Sequence, residues 1–407
     1  MTNPANSTPT PPAGQSLLPL AGLTVVDLTR VLSGPYCTMM LADLGARVIK
    51  IEHPNGGDDS RQVGPFVDGE SAYFASINRN KESIALDLKQ ADDRKVLEKM
   101  LESADVLIEN FRAGVMEKLG YTWATLHARY PRLVFASISG FGQTGPYRNR
   151  PAYDMVVQAM GGLMSVTGEA GGNPARVGVS IGDIGAGLYA TIGIQSALLK
   201  RAATGLGERV DISMLDCQVA LLENPIARYS ATGGVPKPLG TRHPSITPFD
   251  MFATRDGFIV IAVGNDGLFA TLCAALGREE WARDPRFATV PARNEHHAVL
   301  KAALEARLAD ATTAEWEAAL EAAGVPHGPL NGVPELVANP HVAARGMLLD
   351  IGIGDGKALR VAGNPVKIGT AATLSGVRNP PALDQDRARL LAEFGVQGAP
   401  PDQVSRA

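Results

Sequence analysis

Residues 23–52 read LTVVDLTRVLSGPYCTMMLADLGARVIKIE. Within them Thr24–Leu28 (TVVDL) has the apolar run of a buried strand, and Arg47–Glu52 (RVIKIE) reads as a second strand. Tyr36–Leu44 between them carries apolar residues at helical spacing. Strand, helix and strand over about thirty residues make a βαβ unit, because parallel strands need such a crossover. The alternation continues. Lys89–Ser103 reads as a helix charged on one face, Asp105–Glu109 (DVLIE) as a strand, Ala124–Tyr130 as a helix and Leu133–Ser137 (LVFAS) as a strand. Ile184–Lys200 (IGAGLYATIGIQSALLK) predicts a long central helix whose small residues permit close packing. Arg209–Met214 (RVDISM) adds a strand, with a helix following through Leu222. This pattern predicts an α/β fold with a doubly wound, Rossmann-like parallel sheet.

At 407 residues the chain exceeds one comfortable core, so two domains are expected. Gly and Pro dominate around Ala231–Pro244, which reads as a loop. Beyond it lie a strand at Gly257–Val263 and three short Ala-rich helices. Thr312 and Glu315 fit a capping box for one of these, and Gly324 fits its C-terminal cap. Glu335–Arg345 reads as helical with a break before Pro340, and Asp386–Phe394 as the last helix. The expected organisation is a disordered tail at 1–15 and a large domain from 16–225 and 340–400. Between the halves lie a linker at 226–239, a small α/β domain at 240–330 and a return linker at 331–339.

Net charge is −4, and no basic stripe marks a nucleic-acid or membrane surface. No apolar run approaches the roughly 18 residues of a membrane span. Residues 1–15 lack the basic start and apolar stretch of a secretory signal, so a cytoplasmic location is expected. Cys37, Cys217 and Cys273 are too far apart in sequence for a CxxC site, and they read as buried apolar side chains. The seven histidines show no metal-binding spacing, so no metal is expected.

Gly140-Phe141-Gly142-Gln143-Thr144-Gly145 matches GxGxxG, but Pro146 and YRNRPAYD follow instead of a helix. It also lies outside the first βα turn, so it reads as a substrate or phosphate loop, not a dinucleotide fingerprint. Gly178-Val179-Ser180-Ile181-Gly182 formally matches a GxSxG elbow. Gly182-Asp183-Ile184-Gly185-Ala186-Gly187 sets one carboxylate among glycines at the head of an apolar helix. An aspartate there caps a helix. The same position keeps a carboxylate ionised and lets a carbonyl approach bare backbone, whose N–H groups suit an oxyanion. A cap needs no flanking glycines, which favours the functional reading. Arg30, Lys50, Arg79, Lys81, Lys89, Arg112 and Lys118 fall near predicted sheet ends, where together they suit phosphate contacts. His243 stands in the Gly/Pro loop, a candidate site residue.

These segments, with NRNKESIALDLK, ENFRAGVMEKLG, ISGFGQTGPY and the run VSIGDIGAGLYATIGIQSALLKRAATGLGERVDISMLD, resemble the class III CoA-transferases. The resemblance spans about Leu18 to Phe394 and includes the formyl-CoA and carnitine CoA-transferases. It implies Asp183 as nucleophile. It implies CoA contacts at Leu32 and Ser33, His53, Leu86, Asp87, Leu88 and Lys89, Asn110, Phe111 and Arg112, Lys118, and Ser139, Gly140, Phe141 and Gly142. It also implies an interlocked homodimer and no cofactor beyond the CoA substrates. His53 stands where formyl-CoA transferase has arginine, and Leu32 replaces a polar residue. GTRHPSI occupies the region of the family's glycine lid. Arg30, Tyr153 and His243 are the expected acyl-side residues, with Arg30 suited to a dicarboxylate such as succinate. α-Methylacyl-CoA racemases share the fold and pair a histidine with the aspartate. Tyr153 falls on that histidine, and tyrosine, with a reference pKa of about 10, is a poor base at neutral pH. Transferase is therefore preferred, with a racemase or a non-catalytic CoA-binding protein as the alternatives.

Overall fold

In the computed structural model, which describes residues 18–368 and 376–396, strand β1 (Thr24–Asp27) lies at the centre of the main sheet. The tail expected at 1–15 is outside the described residues. From β1 the chain enters helix α1 (Ser33–Asp43) and returns through β2 (Arg47–Glu52). A small hairpin, β3 (Phe66–Val67) and β4 (Glu70–Ser71), precedes α2 (Ala72–Asn78). Then come β5 (Lys81–Ala85), α3 (Ala91–Leu101), β6 (Val106–Glu109), α4 (Val115–Lys118) and α5 (Trp123–Arg129). They are followed by β7 (Val134–Ser139), α6 (Asp154–Met160), α7 (Ile181–Thr204), β8 (Arg209–Ser213) and α8 (Met214–Leu221). The sheet runs β5-β2-β1-β6-β7-β8, with every neighbouring pair parallel. Strand order reverses between β1 and β6, as in a doubly wound fold.

Alternate residues of these strands feed two cores. Val25, Val48, Ile108 and Ala136 pack against Cys37 and Leu41 of α1 and Ala186, Ala190 and Ile194 of α7. Val26, Ile49, Leu107 and Phe135 face Leu97 and Met100 of α3 and Leu126 of α5. A parallel sheet covered on both faces explains the unbroken apolar runs of its strands. Helix α7 lies so close to α1 that a Cβ at Gly187 would stand 2.7 Å from the Ser33 carbonyl oxygen. It ends at Gly205, whose φ of +78° supplies the left-handed cap.

The chain forms two units. The first comprises Met1–Leu163, Val177–Asn224 and Pro340–Ala407; the second comprises Met164–Arg176 and Pro225–Asn339. Residues 164–176, expected in the large domain, join the second unit, where Gly240 N–H donates to the Gly168 carbonyl at 2.9 Å. The expected linker at 226–239 begins inside helix α9 (Glu223–Thr232). Nothing from Ile226 to Thr232 interrupts a helix, and Gly233, at φ +69°, follows its end.

The second unit carries a three-stranded antiparallel sheet of β9 (Phe249–Ala253), β10 (Phe258–Ala262) and β11 (His327–Pro329). Its helices α10 (Asp266–Ala275), α11 (Val290–Glu295), α12 (His297–Leu308) and α13 (Thr313–Ala323) surround a core of Phe252, Ile259, Phe269, Leu304 and Trp316. The Thr312–Glu315 capping box and the Gly324 cap are both formed.

The return to the first unit passes α14 (Val333–Ala338), the expected break at Pro340, and α15 (Pro340–Ala344). The hairpin β12 (Leu348–Ile353) and β13 (Lys357–Ala362) comes next, then α16 (Arg387–Glu393), whose Leu390 and Leu391 complete the second core. Residues just before and in α16 also cover edge strand β5. Ala85 N–H donates to Asp384 Oδ1 at 2.7 Å, Ser83 N–H to Asp386 Oδ2 at 2.9 Å, and Asp386 N–H to the Ser83 carbonyl at 3.0 Å. Among the described residues no helix is long and apolar enough to cross a membrane.

Candidate active site

Because all six strands are parallel, their carboxyl ends share one edge, and α/β sheets bind ligands at that edge where strand order reverses. At this point Asn110, just past β6, brackets the turn after β1. Its Oδ1 accepts from Arg30 N–H at 2.8 Å, while its Nδ2 donates to the Arg30 carbonyl at 2.8 Å and to Ser33 Oγ at 3.3 Å. Val31 in this turn has φ +66°. A β-branched residue in that region costs about 1–3 kcal/mol and persists only when its surroundings over-determine it. Here Asp58 Oδ1 accepts from Val31 N–H at 3.0 Å, and Lys50 holds Asp58 at 2.8 Å.

Beneath the turn lies a buried polar cluster. Lys81 Nζ donates to Asp27 Oδ2 at 3.3 Å, Thr38 Oγ1 at 2.7 Å and Asn78 Oδ1 at 2.9 Å. Burial drives the Lys81 pKa down to about 8, against the pull of Asp27. Burial alone would raise the Asp27 carboxyl, but Lys81 and Lys50 hold it below its usual value. Such a cluster fixes the start of α1 and with it Ser33.

Asp183 stands in the first turn of α7, half-buried. Its carboxyl is pushed from 3.8 up to about 7, first by burial and then by the neighbouring Asp154 carboxylate, while the Ser33 hydroxyl lowers it. The expectation that the helix N-terminus keeps Asp183 firmly ionised is thus corrected. The Gly182 N–H in that turn is occupied by Asp154 Oδ1 at 2.7 Å, and desolvation outweighs the dipole. A carboxylate that binds its proton more tightly is also a stronger nucleophile.

The residues expected to contact CoA follow the carboxyl ends of successive strands. Leu32 and Ser33 follow β1, and Leu32 is the N-cap of α1. His53 follows β2, exposed, with Nδ1 accepting from Asn55 N–H at 3.1 Å. Leu86, Asp87, Leu88 and Lys89 follow β5; Leu86 is buried and Lys89 exposed. The Lys89 N–H and then Gln90 and His53 hold the Asp87 carboxyl below its usual value, so His53 and Asp87 lie near each other. Asn110, Phe111 and the exposed Arg112 follow β6, and the exposed Lys118 ends α4. Ser139 ends β7, with Gly140, Phe141 and Gly142 after it. Gly140 is required by packing, since a Cβ would stand 2.3 Å from the Ala152 Cβ. No helix follows this loop until Asp154, so the GxGxxG run lacks an anion-binding helix start.

The acyl-side candidates divide. Arg30 pairs with Asp59 at 3.2 Å and lies over the Phe111 ring at 5.6 Å. Tyr153, the N-cap of α6, is 77% exposed. His243 belongs to the second unit, where its Nδ1 accepts from Ser245 N–H at 3.1 Å. Three of the cations suggested for phosphate are corrected: Lys50, Lys81 and Arg79 are fully buried and paired with Asp58, Asp27 and Asp43. No strand leads into Ser180, so no nucleophile elbow forms there. The cysteines are buried, and burial pushes their thiols up to about 12.

Sequence reasoning passed over three ionisable side chains at or near the carboxyl-end edge of the sheet. Tyr73 of α2 is half-buried, and its pKa rises to about 12 through burial and then the Asp183 charge, which puts it in that carboxylate's field. Glu109 ends β6 and is pushed up to about 7 by burial, although it accepts from Phe111 N–H at 2.7 Å. Asp154 adjoins the nucleophile position only in space. An isolated aromatic or acid carries no spacing signal that would reveal such roles.

Comparison with known proteins finds relatives that match over nearly the whole chain. A curated relative from Acetobacter aceti, acetyl-CoA:oxalate CoA-transferase, is 46% identical, covering 97% of this chain and 99% of its own. Succinate–glutarate CoA-transferase from Agrobacterium fabrum is 41% identical over 92% of this chain and 96% of its own. A crystal structure of a CAIB/BAIF family protein from Brucella suis superposes with a TM-score of 0.82 at 41% identity, covering 93% of this chain and 100% of that one. The family model for CoA-transferase family III matches residues 20–387, and the chain therefore belongs to that family.

Proposed function

We propose that this chain moves coenzyme A from an acyl-CoA to a free dicarboxylic acid, with Asp183 as the covalent carrier. The observation that carries the reading is a half-buried, proton-retaining carboxylate beside Ser33, at the ligand edge of the sheet. Asp183 attacks the thioester carbonyl carbon, the C–S bond breaks, and a mixed anhydride forms with release of CoA thiolate. The thiolate attacks the aspartyl carbonyl, which releases the donor acid and leaves an aspartyl-CoA thioester. The acceptor carboxylate attacks that thioester, and the expelled thiolate then takes the new acyl group and regenerates Asp183. One thioester replaces another, so neither ATP nor a further cofactor is needed.

The exposed His53, Lys89, Arg112 and Lys118 suit the phosphates of CoA. The names of the relatives, with oxalate, succinate and glutarate among their acids, favour a dicarboxylate acceptor, and succinyl-CoA is the proposed donor. Arg30 at the rim is the proposed partner for a second carboxylate. A homodimer is also proposed, interlocked as the family resemblance implies. Leu188, Ile192 and Leu199 on α7 and Val219 and Leu221 on α8 are exposed apolar side chains that a second copy would cover.

The test is a panel of acyl-CoA donors and free acids, with the CoA products read by mass spectrometry. Asp183→Ala should abolish transfer and retain CoA binding, and hydroxylamine added after incubation with acyl-CoA, with no acceptor acid present, should label Asp183. Near-normal turnover in that variant, or a label elsewhere, removes the reading. Exchange of an α-proton with deuterated water in the absence of any acceptor would point to racemisation instead.

A further inference from the structure

Two side chains outside the reaction steps hold the start of α7. Asp154, the first residue of α6, is buried, and its two oxygens are both engaged. Oδ1 accepts from Gly182 N–H at 2.7 Å and Oδ2 accepts from Gln158 Nε2 at 2.7 Å. Gln158 lies one helical turn further on with no exposed surface, and its Oε1 accepts from Val177 N–H at 3.0 Å. Helix α6 thus grips the segment leading into α7 at both ends, Val177 and Gly182.

The grip leaves no slack. A Cβ at Gly182 would stand 2.8 Å from Val157 Cγ2 and 2.9 Å from Asp154 Oδ1. The Gly182 N–H is one of the first-turn donors that a helix cannot pair internally. Ser180, the N-cap, makes no side-chain capping bond, so Asp154 supplies from another helix what the cap does not. Left free, that donor and the helix dipole would draw electron density from the adjoining Asp183 carboxylate.

We propose that Asp154, oriented by Gln158, is the positioning residue for the nucleophile: it seats the first turn of α7 and occupies the Gly182 N–H, so that Asp183 meets the thioester carbon unencumbered. This rests on the assignment of Asp183 as nucleophile. Asp154 touches the backbone beside Asp183 and takes no part in bond making.

The experiment measures kcat and KM for wild type, Asp154→Ala, Asp154→Asn, Gln158→Met and Asp183→Ala. It uses the donor and acid that give the highest wild-type rate, with thermal melts and CoA titrations alongside. Loss of about 1 Å in placement typically costs on the order of 100-fold in rate. Asp154→Ala should therefore lower kcat about 100-fold while KM for the acyl-CoA and the affinity for CoA stay within about twofold. Gln158→Met should lower kcat about tenfold. Asp154→Asn keeps an oxygen for Gly182 N–H and should recover at least tenfold over the alanine variant. A kcat within about threefold of wild type in both Asp154→Ala and Gln158→Met overturns the proposal. So does an asparagine variant that melts like wild type yet works no better than alanine. If Asp183→Ala remains active, the nucleophile assignment itself fails; if it is dead while the Asp154 and Gln158 variants are normal, only the positioning role fails.

Discussion

Asp183→Asn exchanges a half-buried carboxylate for a neutral amide of nearly the same shape. In the folded protein that carboxyl is raised from 3.8 to about 7, by burial and then by Asp154. Each pKa unit corresponds to ~1.4 kcal/mol, so about three units amount to roughly 4 kcal/mol. The sign follows from proton uptake. Below about pH 3.8 folded and unfolded chains both hold the proton, and the carboxyl costs nothing. Between about 3.8 and 7 the folded chain binds more protons than the unfolded one, so stability falls as pH rises, and above about 7 the whole cost is present. Asparagine escapes it. Urea unfolding of both proteins at about pH 5 and about pH 8.5 should show the variant more stable at each. Its advantage should be larger at the higher pH by roughly 2 kcal/mol, once partial exposure has screened the full effect. An advantage that does not change with pH, or a variant less stable at the higher value, would refute the picture of a desolvated carboxylate at the head of α7.

The rate should carry the same titration: kcat/KM for the acyl-CoA should rise about tenfold per pH unit below about 7 and level off above it, read from initial rates. A flat profile across that range would count against Asp183 as the group that must be ionised. Gly187→Ala places a methyl 2.7 Å from the Ser33 carbonyl and 3.1 Å from the Tyr36 ring, so α1 and α7 must part. It should cost about 1–3 kcal/mol in denaturant unfolding. Asp43→Ala strips the buried Arg79 guanidinium of its partner at 2.6 and 3.1 Å and should cost about 3–5 kcal/mol in the same assay. Thr312→Ala removes a formed capping box in the second unit and should cost about 1 kcal/mol, with transfer unchanged.

Sequence reading finds β1, β2, β6 and β7, interior strands fed by both cores, because their apolar residues announce burial, and it also finds the edge strand β8 and, in the second unit, β10. β5 escaped it because Lys81, Glu82 and Ser83 look solvent-exposed, whereas each is buried through a partner: Asp27, Arg47 and Glu52. Hydropathy cannot see a charge neutralised by a residue 54 positions away. Apolar spacing alone starts α1 at Tyr36, three residues late, since Ser33, Gly34 and Pro35 carry no such spacing, although proline in the first turn forfeits no helical bond. Asp183 was legible because glycine surrounds it, an excess that capping does not explain. Asp154 was not, since its meaning comes from Gly182, 28 residues downstream.

The seal along β5 has a consequence for how the chain is made. Ser83 and its partner Asp386 are 303 residues apart, so at about 5–20 residues per second the ribosome leaves that edge uncovered for roughly 15–60 s. An open strand edge invites pairing with other chains, and charged side chains are the usual deterrent. Glu82, whose partners Arg378 and Arg389 arrive only with that late segment, leaves a charge on the open edge in the meantime, and the polarity that hides β5 from a hydropathy reading protects it during synthesis.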